Sequence, residues 1–247
     1  MSSRSQPIPE TTDTAPTDED AKPKRGRGRP RVPLERIVAA ALALVDSEGV
    51  GALSMRTLAQ RLDTGTAVLY RAVANRSELV SLIVDRVFSE VAFDNDPTRT
   101  DWQAACRSTA QRLFDTLNNH RGIAPLLIEQ VPVGPSVMAH REQLLAMLLA
   151  NGFSPEDAAR TYTTVARFVV GFAAQLQGQD STSNQDTAQL ETLFHQLDPA
   201  HFPATIAVAD CLPQMTLEKE FSFGLDLLIA GLAARHNPEK GSTEKAR

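Results

Sequence analysis

The chain of 247 residues is short of cysteine, of aromatic side chains and of long apolar runs. Its two cysteines, Cys106 and Cys211, form neither a CxxC pair nor any other metal spacing. That speaks against a disulfide scaffold and fits a reduced compartment. The longest unbroken apolar stretch, Ile37 to Val45, is nine residues, and a spanning helix needs about twenty. No apolar segment follows Met1-Ser2-Ser3-Arg4-Ser5, so no secretory signal is expected there. The patterns GxxxxGK[ST], HExxH and GxSxG are missing, and the five histidines stand at no recognisable spacing from a nucleophile. An enzyme is therefore not expected, nor a metal site or a bound cofactor. What remains, at 42% apolar and 22% charged residues, is an ordinary globular composition.

The net charge of -5 conceals a partition. Residues 1–21 carry Arg4 against five acids, residues 22–86 hold twelve basic and six acidic groups, and residues 87–247 hold twelve and nineteen. A basic module joined to a larger acidic one implies that only the first part meets a polyanion.

Residues 1–21 are Ser, Thr, Pro, Glu and Asp with a single large apolar residue, Ile8. Such a segment cannot offset its ordering entropy, and it reads as a disordered tail. Lys22 to Arg31, KPKRGRGRPR, makes a basic arm that ends the tail at residue 32. Folded structure is expected from Pro33, placed in the first turn of a helix. Leu34, Ile37, Val38, Ala41, Leu42 and Val45 form one helical stripe. Gly49 is expected to close that helix as a left-handed cap.

Ser54 reads as the N-cap of a short helix facing inward with Met55, Leu58, Ala59 and Leu62. After a break at Asp63-Thr64-Gly65-Thr66, a third helix turns Leu69 and Val73 inward. Asn75 with Glu78 starts a fourth in the manner of a capping box. A turn follows around Pro97. Helices are then expected over 102–117, 123–130, 136–150 and from Pro155 to about Gln177, with a polar loop at 178–186. One or two short helices broken by Pro199 and Pro203 follow, then a helix over 217–235 and a frayed tail from His236.

Two short helices joined by a tight turn between Arg56 and Arg76 give a helix-turn-helix, whose second helix lies in the major groove of DNA. The outward positions there are Thr66, Ala67, Val68, Tyr70 and Arg71, after the turn residues Thr64 and Gly65. Arg71 has the chemistry to read guanine or bind phosphate, and Ala67 and Val68 to touch thymine methyls. Tyr70, Arg56 and Arg76 suit phosphates. By spacing alone, Tyr70 and Val68 fit a protein core equally well, with the arginines merely solvated.

The run MRTLAQRLDTGTAVLYRAVANRSELV resembles the DNA-binding segment of the tetracycline-repressor (TetR) family, through Leu58, Ala59, Leu62, Leu69, Tyr70, Val73, Arg76 and Leu79. Asp63 stands where the family has glycine, and Arg76 where it has lysine. NGFSPEDAARTYTTVARFVVGFAAQ and EFSFGLDLLIAGLAAR are similar to the C-terminal domain of the tetracycline-repressor class. The resemblance implies an all-α chain with an N-terminal three-helix helix-turn-helix domain and a C-terminal helical ligand-binding and dimerisation domain. The expected divisions are a DNA-binding domain over 33–80, a connecting helix and turn over 81–97, and the ligand-binding and dimerisation domain over 98–235.

It further implies a homodimer through a four-helix bundle, to which Gly171, Phe172, Gly224, Leu228 and Gly231 are assigned. The same stripe would serve an intramolecular bundle. Of the histidines that hold a magnesium–drug chelate in that class, neither is present: Ala92 and Leu127 fall at those places, and Gln175 replaces an acid of the metal shell. His120 matches a histidine of the fold that is not a ligand. A pocket for an unknown small-molecule effector is expected between the helices from 102 to 177, with Trp102, His120, Arg167 and Gln175 as candidate linings; Asp226 is an alternative partner for Arg167. In the arm, Arg27-Gly28-Arg29-Pro30, followed by Arg31, makes an AT-hook-like core suited to a narrow minor groove, or else a solvated positive tail that adds only non-specific affinity.

The expected function is a repressor released from a palindromic double-stranded operator by its effector, in the bacterial cytoplasm and on the nucleoid when bound to DNA, with no membrane partner. The competing readings are a non-specific architectural DNA-binding protein using the arginine arm, and a helical enzyme whose N-terminal part is structural.

Overall fold

The computed structural model describes residues 32–92, 101–176 and 184–236, and among them there is helix and no strand. The tail and basic arm, the turn around Pro97, and residues 177–183 and 237–247 lie outside the described residues. Helix α1 (Leu34–Glu48) buries Ile37, Val38, Ala41, Leu42, Leu44 and Val45, the stripe that helical spacing predicts. Pro33 sits at the N-cap, one residue earlier than expected, and Gly49 ends α1 with φ 80° and ψ 171°. The positive φ demands glycine, but the extended ψ makes it a sharp exit from the helix, not the left-handed cap.

Helices α2 (Met55–Arg61), α3 (Thr66–Leu69) and α4 (Arg76–Phe88) follow. Ser54 accepts a bond from the Thr57 N–H, and Asn75 one from the Glu78 N–H. Glu78 reaches back to the N–H of Ala74, one residue beyond the ordinary capping box, at 2.6 Å. Between α2 and α3 the chain turns at Asp63, whose φ of 48° is the left-handed conformation that aspartate tolerates.

Helices α5 (Trp102–Asn119), α6 (Ile123–Glu129), α7 (Pro135–Ala150), α8 (Pro155–Ala173) and α11 (Leu217–Arg235) make the larger core. Helix α5 lies against α8 and α11, α7 against α8, and α4 against α1, α6 and α7. Phe114 of α5 stacks on Phe221 of α11 at 4.0 Å, with Phe168 and Phe172 of α8 beside them. Each fully buried side chain of this size contributes about 1.5–3 kcal/mol. Helix α8 ends four residues earlier than its periodicity suggests. Helix α9 (Asn184–His195) begins inside the expected polar loop, and Pro203, expected to break a helix, instead begins α10 (Pro203–Ala207). His236, expected to fray, stacks on Phe153 at 3.8 Å and bonds the carbonyl of Asn151 at 2.9 Å.

Candidate nucleic-acid interface and cavity

Leu69, fully buried, and Val73 anchor α3 from below. The turn is held by the Thr64 N–H on the Ala59 carbonyl and the Val68 N–H on the Gly65 carbonyl, both at 2.9 Å. With these anchors inward, Gly65, Thr66, Ala67, Tyr70 and Arg71 are exposed, while Thr64 and Val68 are half-buried. Tyr70 is 53% exposed, so it is no core residue. Arg56 and Arg71 are exposed and make no hydrogen bond or ion pair with a described residue. Two free guanidiniums and a phenol thus stand beside a four-residue helix of small side chains.

Arg76, expected to suit a phosphate, also has partners within the protein. Its Nε donates to the Leu53 carbonyl at 3.3 Å, and its Nη1 lies 3.8 Å from Glu129 on α6. Beside it, Ser77 Oγ donates to Gln130 Oε1 at 3.0 Å. The start of α4 is therefore tied to the end of α6, and Arg76 is occupied there. Farther along α4, Asp85 accepts bonds from the N–H of Ser136 at 2.7 Å and of Val137 at 3.3 Å, and from Ser136 Oγ at 3.1 Å. A side chain of α4 thus caps α7. Gly134 lies against the Asp85 side chain so closely that a Cβ would overlap it. At the end of α4, the Phe88 carbonyl meets His140 Nε2 at 3.0 Å.

A cavity of about 610 Å³ lies between α4, α5, α7 and α8 and the 127–132 segment. Leu113, Leu144, Val165 and Val169 give it apolar walls, with Gln130, Arg141 and Tyr162 among the polar groups. Burial lowers the pKa of His140, against the weaker opposing effect of the Phe88 carbonyl, and so favours the neutral imidazole.

Of the four candidate lining residues only Arg167 reaches this cavity. Asp226 is not its partner: Asp226 binds Arg107 at 2.7 Å. Trp102 is buried instead against Phe153 and His236. Gln175 is exposed and donates back to the Gly171 carbonyl at 3.4 Å. His120 sits at the end of α5 between two carboxylates, Asp46 of α1 at 2.9 Å from Nδ1 and Glu90 at 3.0 Å from Nε2. Burial alone would lower its pKa, but the hydrogen bonds and charges of Glu90 and Asp46 outweigh that and raise it. The expected window of 102–177 missed Phe88 and Val91, which bring the end of α4 into the cavity wall. No group of His, Cys, Asp and Glu suited to a metal occurs among the described residues. No helix there is long and apolar enough to cross a membrane.

On α11, Gly224 faces Phe168 of the same chain, whose Cζ lies 2.9 Å from where a Cβ would be. Phe172 and Leu228 are half-buried, while Gly171 and Gly231 have open space around them. The large apolar side chains exposed on α11 are Phe223 at 68% and Leu227 at 58%. Sequence reasoning passed over both, though they lie one helical turn apart and flank Gly224.

The family model described as "Tetracyclin repressor-like, C-terminal domain" matches residues 95–236. The HTH-type transcriptional repressor DrrR1 of Streptomyces coeruleorubidus is 29% identical over 223 residues, 87% of this chain and 82% of that protein. The class E tetracycline repressor protein of Escherichia coli is 28% identical over 211 residues, 85% of this chain and 95% of its own length. The TetR family protein ActR of Streptomyces coelicolor, in complex with (S)-DNPA, is 33% identical with a TM-score of 0.73, covering 83% of this chain and 99% of that one. A further ActR structure holds actinorhodin. On these matches, and on the helix-turn-helix and cavity described above, the chain belongs to the TetR family of DNA-binding transcriptional regulators.

Proposed function

We propose that two copies of this chain bind a palindromic operator as a repressor and leave it when a small molecule fills the cavity. Residues 33–80 serve as the DNA-binding domain. Each copy lays α3 in a major groove, with Thr66, Ala67 and Val68 toward the bases and Arg56, Tyr70 and Arg71 toward bases or phosphates. Residues 98–235 hold the effector and pair the subunits through α8 and α11, with Phe223 and Leu227 joining the small residues on that face. The two reading helices then stand roughly 34–36 Å apart, one turn of B-form DNA.

One observation carries the reading. Glu129 and Gln130 line the cavity and also hold Arg76 and Ser77, the first residues of α4. An occupant that displaces this segment acts on the helix that follows α3. Release then requires only that the effector bind better to the conformation in which the two α3 helices no longer match the groove spacing. The relatives support this reading through a repressor's name and through structures that hold a small molecule.

Selection of bound duplexes from a random-sequence pool tests it. The expected product is an inverted repeat. An absence of any preferred sequence would favour the architectural reading and overturn this one.

A further inference from the structure

The charges that face the cavity do not balance. Glu129, Arg141 and Arg167 line it. The carboxylate of Glu129 is engaged with the Arg76 guanidinium at 3.8 Å. The two cavity arginines have no carboxylate partner among the described residues. Arg141, half-buried on α7, has three neutral acceptors: Tyr162 Oη on Nε at 3.1 Å, Met138 Sδ on Nη1 at 3.0 Å and the Pro132 carbonyl on Nη2 at 3.2 Å. A guanidinium offers five N–H groups, so two remain uncommitted. Its Cζ lies 5.6 Å from the centre of the Tyr162 ring. Arg167, on α8, is exposed and bonds no described residue. Burial disfavours the charged form of His140, which also belongs to the lining.

A half-buried guanidinium with only neutral partners is under-compensated, and a charged ligand completes it. We propose that the occupant of this cavity is an organic anion. Its drug-sized apolar body lies against Leu113, Leu144, Val165 and Val169, and a planar acid group, a carboxylate or its like, is gripped by Arg141 with Arg167 as a second cation. The guanidinium fork matches a planar acid in a way that a lysine would not. A cationic ligand of the same shape meets two like charges and is rejected. A metal chelate finds no ligand cluster among the described residues.

This inference rests on the cavity being the effector site, but its test needs no DNA. Anthracene-2-carboxylate and anthracene-2-carboxamide share one ring system and differ in charge. The full chain is titrated with each, and binding is followed by anthracene fluorescence. The expected result is that the carboxylate binds about tenfold tighter or more, the scale of a charge-assisted hydrogen bond. Arg141→Gln should remove most of that preference, the remainder coming from Arg167, and Arg141→Lys should restore part of it. Equal binding of the two probes, binding of neither, or a preference undiminished by Arg141→Gln would overturn the proposal. If Arg141→Gln does not fold, the comparison on the unaltered chain still decides. A chain that shows the preference yet selects no operator leaves this proposal standing and overturns the proposed function instead.

Discussion

Within residues 32–86 six arginines face six acids, so the folded recognition module carries no net charge. The surplus of positive charge lies entirely in Lys22 to Arg31. The module's acids, however, are largely consumed by the fold. Glu48 binds Arg61 at 3.0 Å, Asp46 binds His120, Glu78 caps α4 and Asp85 caps α7. Arg56 and Arg71 are left to the solvent-facing side, where phosphates would meet them. Arg71→Ala or Tyr70→Ala should weaken operator binding by about 1–3 kcal/mol, about 5- to 150-fold, with the subunit association unchanged. Titration of the selected duplex by fluorescence anisotropy measures this; unaltered affinity would reject the placement of α3.

His120 sets a pH dependence of the opposite kind to a carboxylate. Both of its nitrogens face carboxylates, an arrangement that only the protonated ring satisfies as a double donor. Its pKa is raised above 6.5 by Glu90 and Asp46 in spite of burial. A raised pKa means the native state holds its proton more tightly than the unfolded chain does. The stabilisation is therefore complete below pH 6.5 and is lost as pH rises through the native value. Melting temperatures of the chain and of His120→Gln, compared at about pH 6 and about pH 8, should converge at the higher pH. A constant gap between them would show that the triad does not titrate.

At the scale of elements, α4 is the member gripped along its length. The α6 end holds its first residues, the α7 N-terminus takes Asp85 from its middle, and His140 meets its last carbonyl. Gly134→Ala pushes a methyl into the Asp85 carboxylate and should cost about 1–3 kcal/mol through loss of that cap. Denaturant unfolding reads the cost. A neutral outcome would mean that α4 and α7 can separate freely.

Much of this was legible in local sequence. The stripe of α1, the caps at Ser54 and Asn75, and the left-handed Asp63 follow from side-chain chemistry within a few residues. The contacts of His120, Asp85 and Arg76 were not legible, because each joins groups 23 to 74 positions apart that no period relates. The cavity shows the same limit. Arg167 was among the candidate linings, with Asp226 as its alternative partner, but Arg141 and Tyr162 carry no local signal of their bond across helices. Gln175 was named from its place in the family's metal shell, and Trp102 as a candidate lining, but their neighbours direct both elsewhere.

For the whole molecule, the account depends on two copies and on the charge carried ahead of the fold. Phe223 and Leu227 leave an apolar face on α11 that a lone chain would expose to water. Phe223→Asp should yield monomers by sedimentation, and dimers surviving it would place the interface elsewhere. Because the recognition module is neutral, removing residues 22–31 should flatten the fall of operator affinity with salt, each neutralised phosphate contributing about 0.9 to the logarithmic slope. An unaltered slope would show that the arm touches no phosphate. The most direct measurement is the mass, by sedimentation, of the complex formed on a single selected inverted repeat. Two chains should sit on one duplex, and the complex should dissociate when Arg71 is replaced by alanine. One chain per duplex, or a mass that grows with the length of flanking DNA, would contradict it.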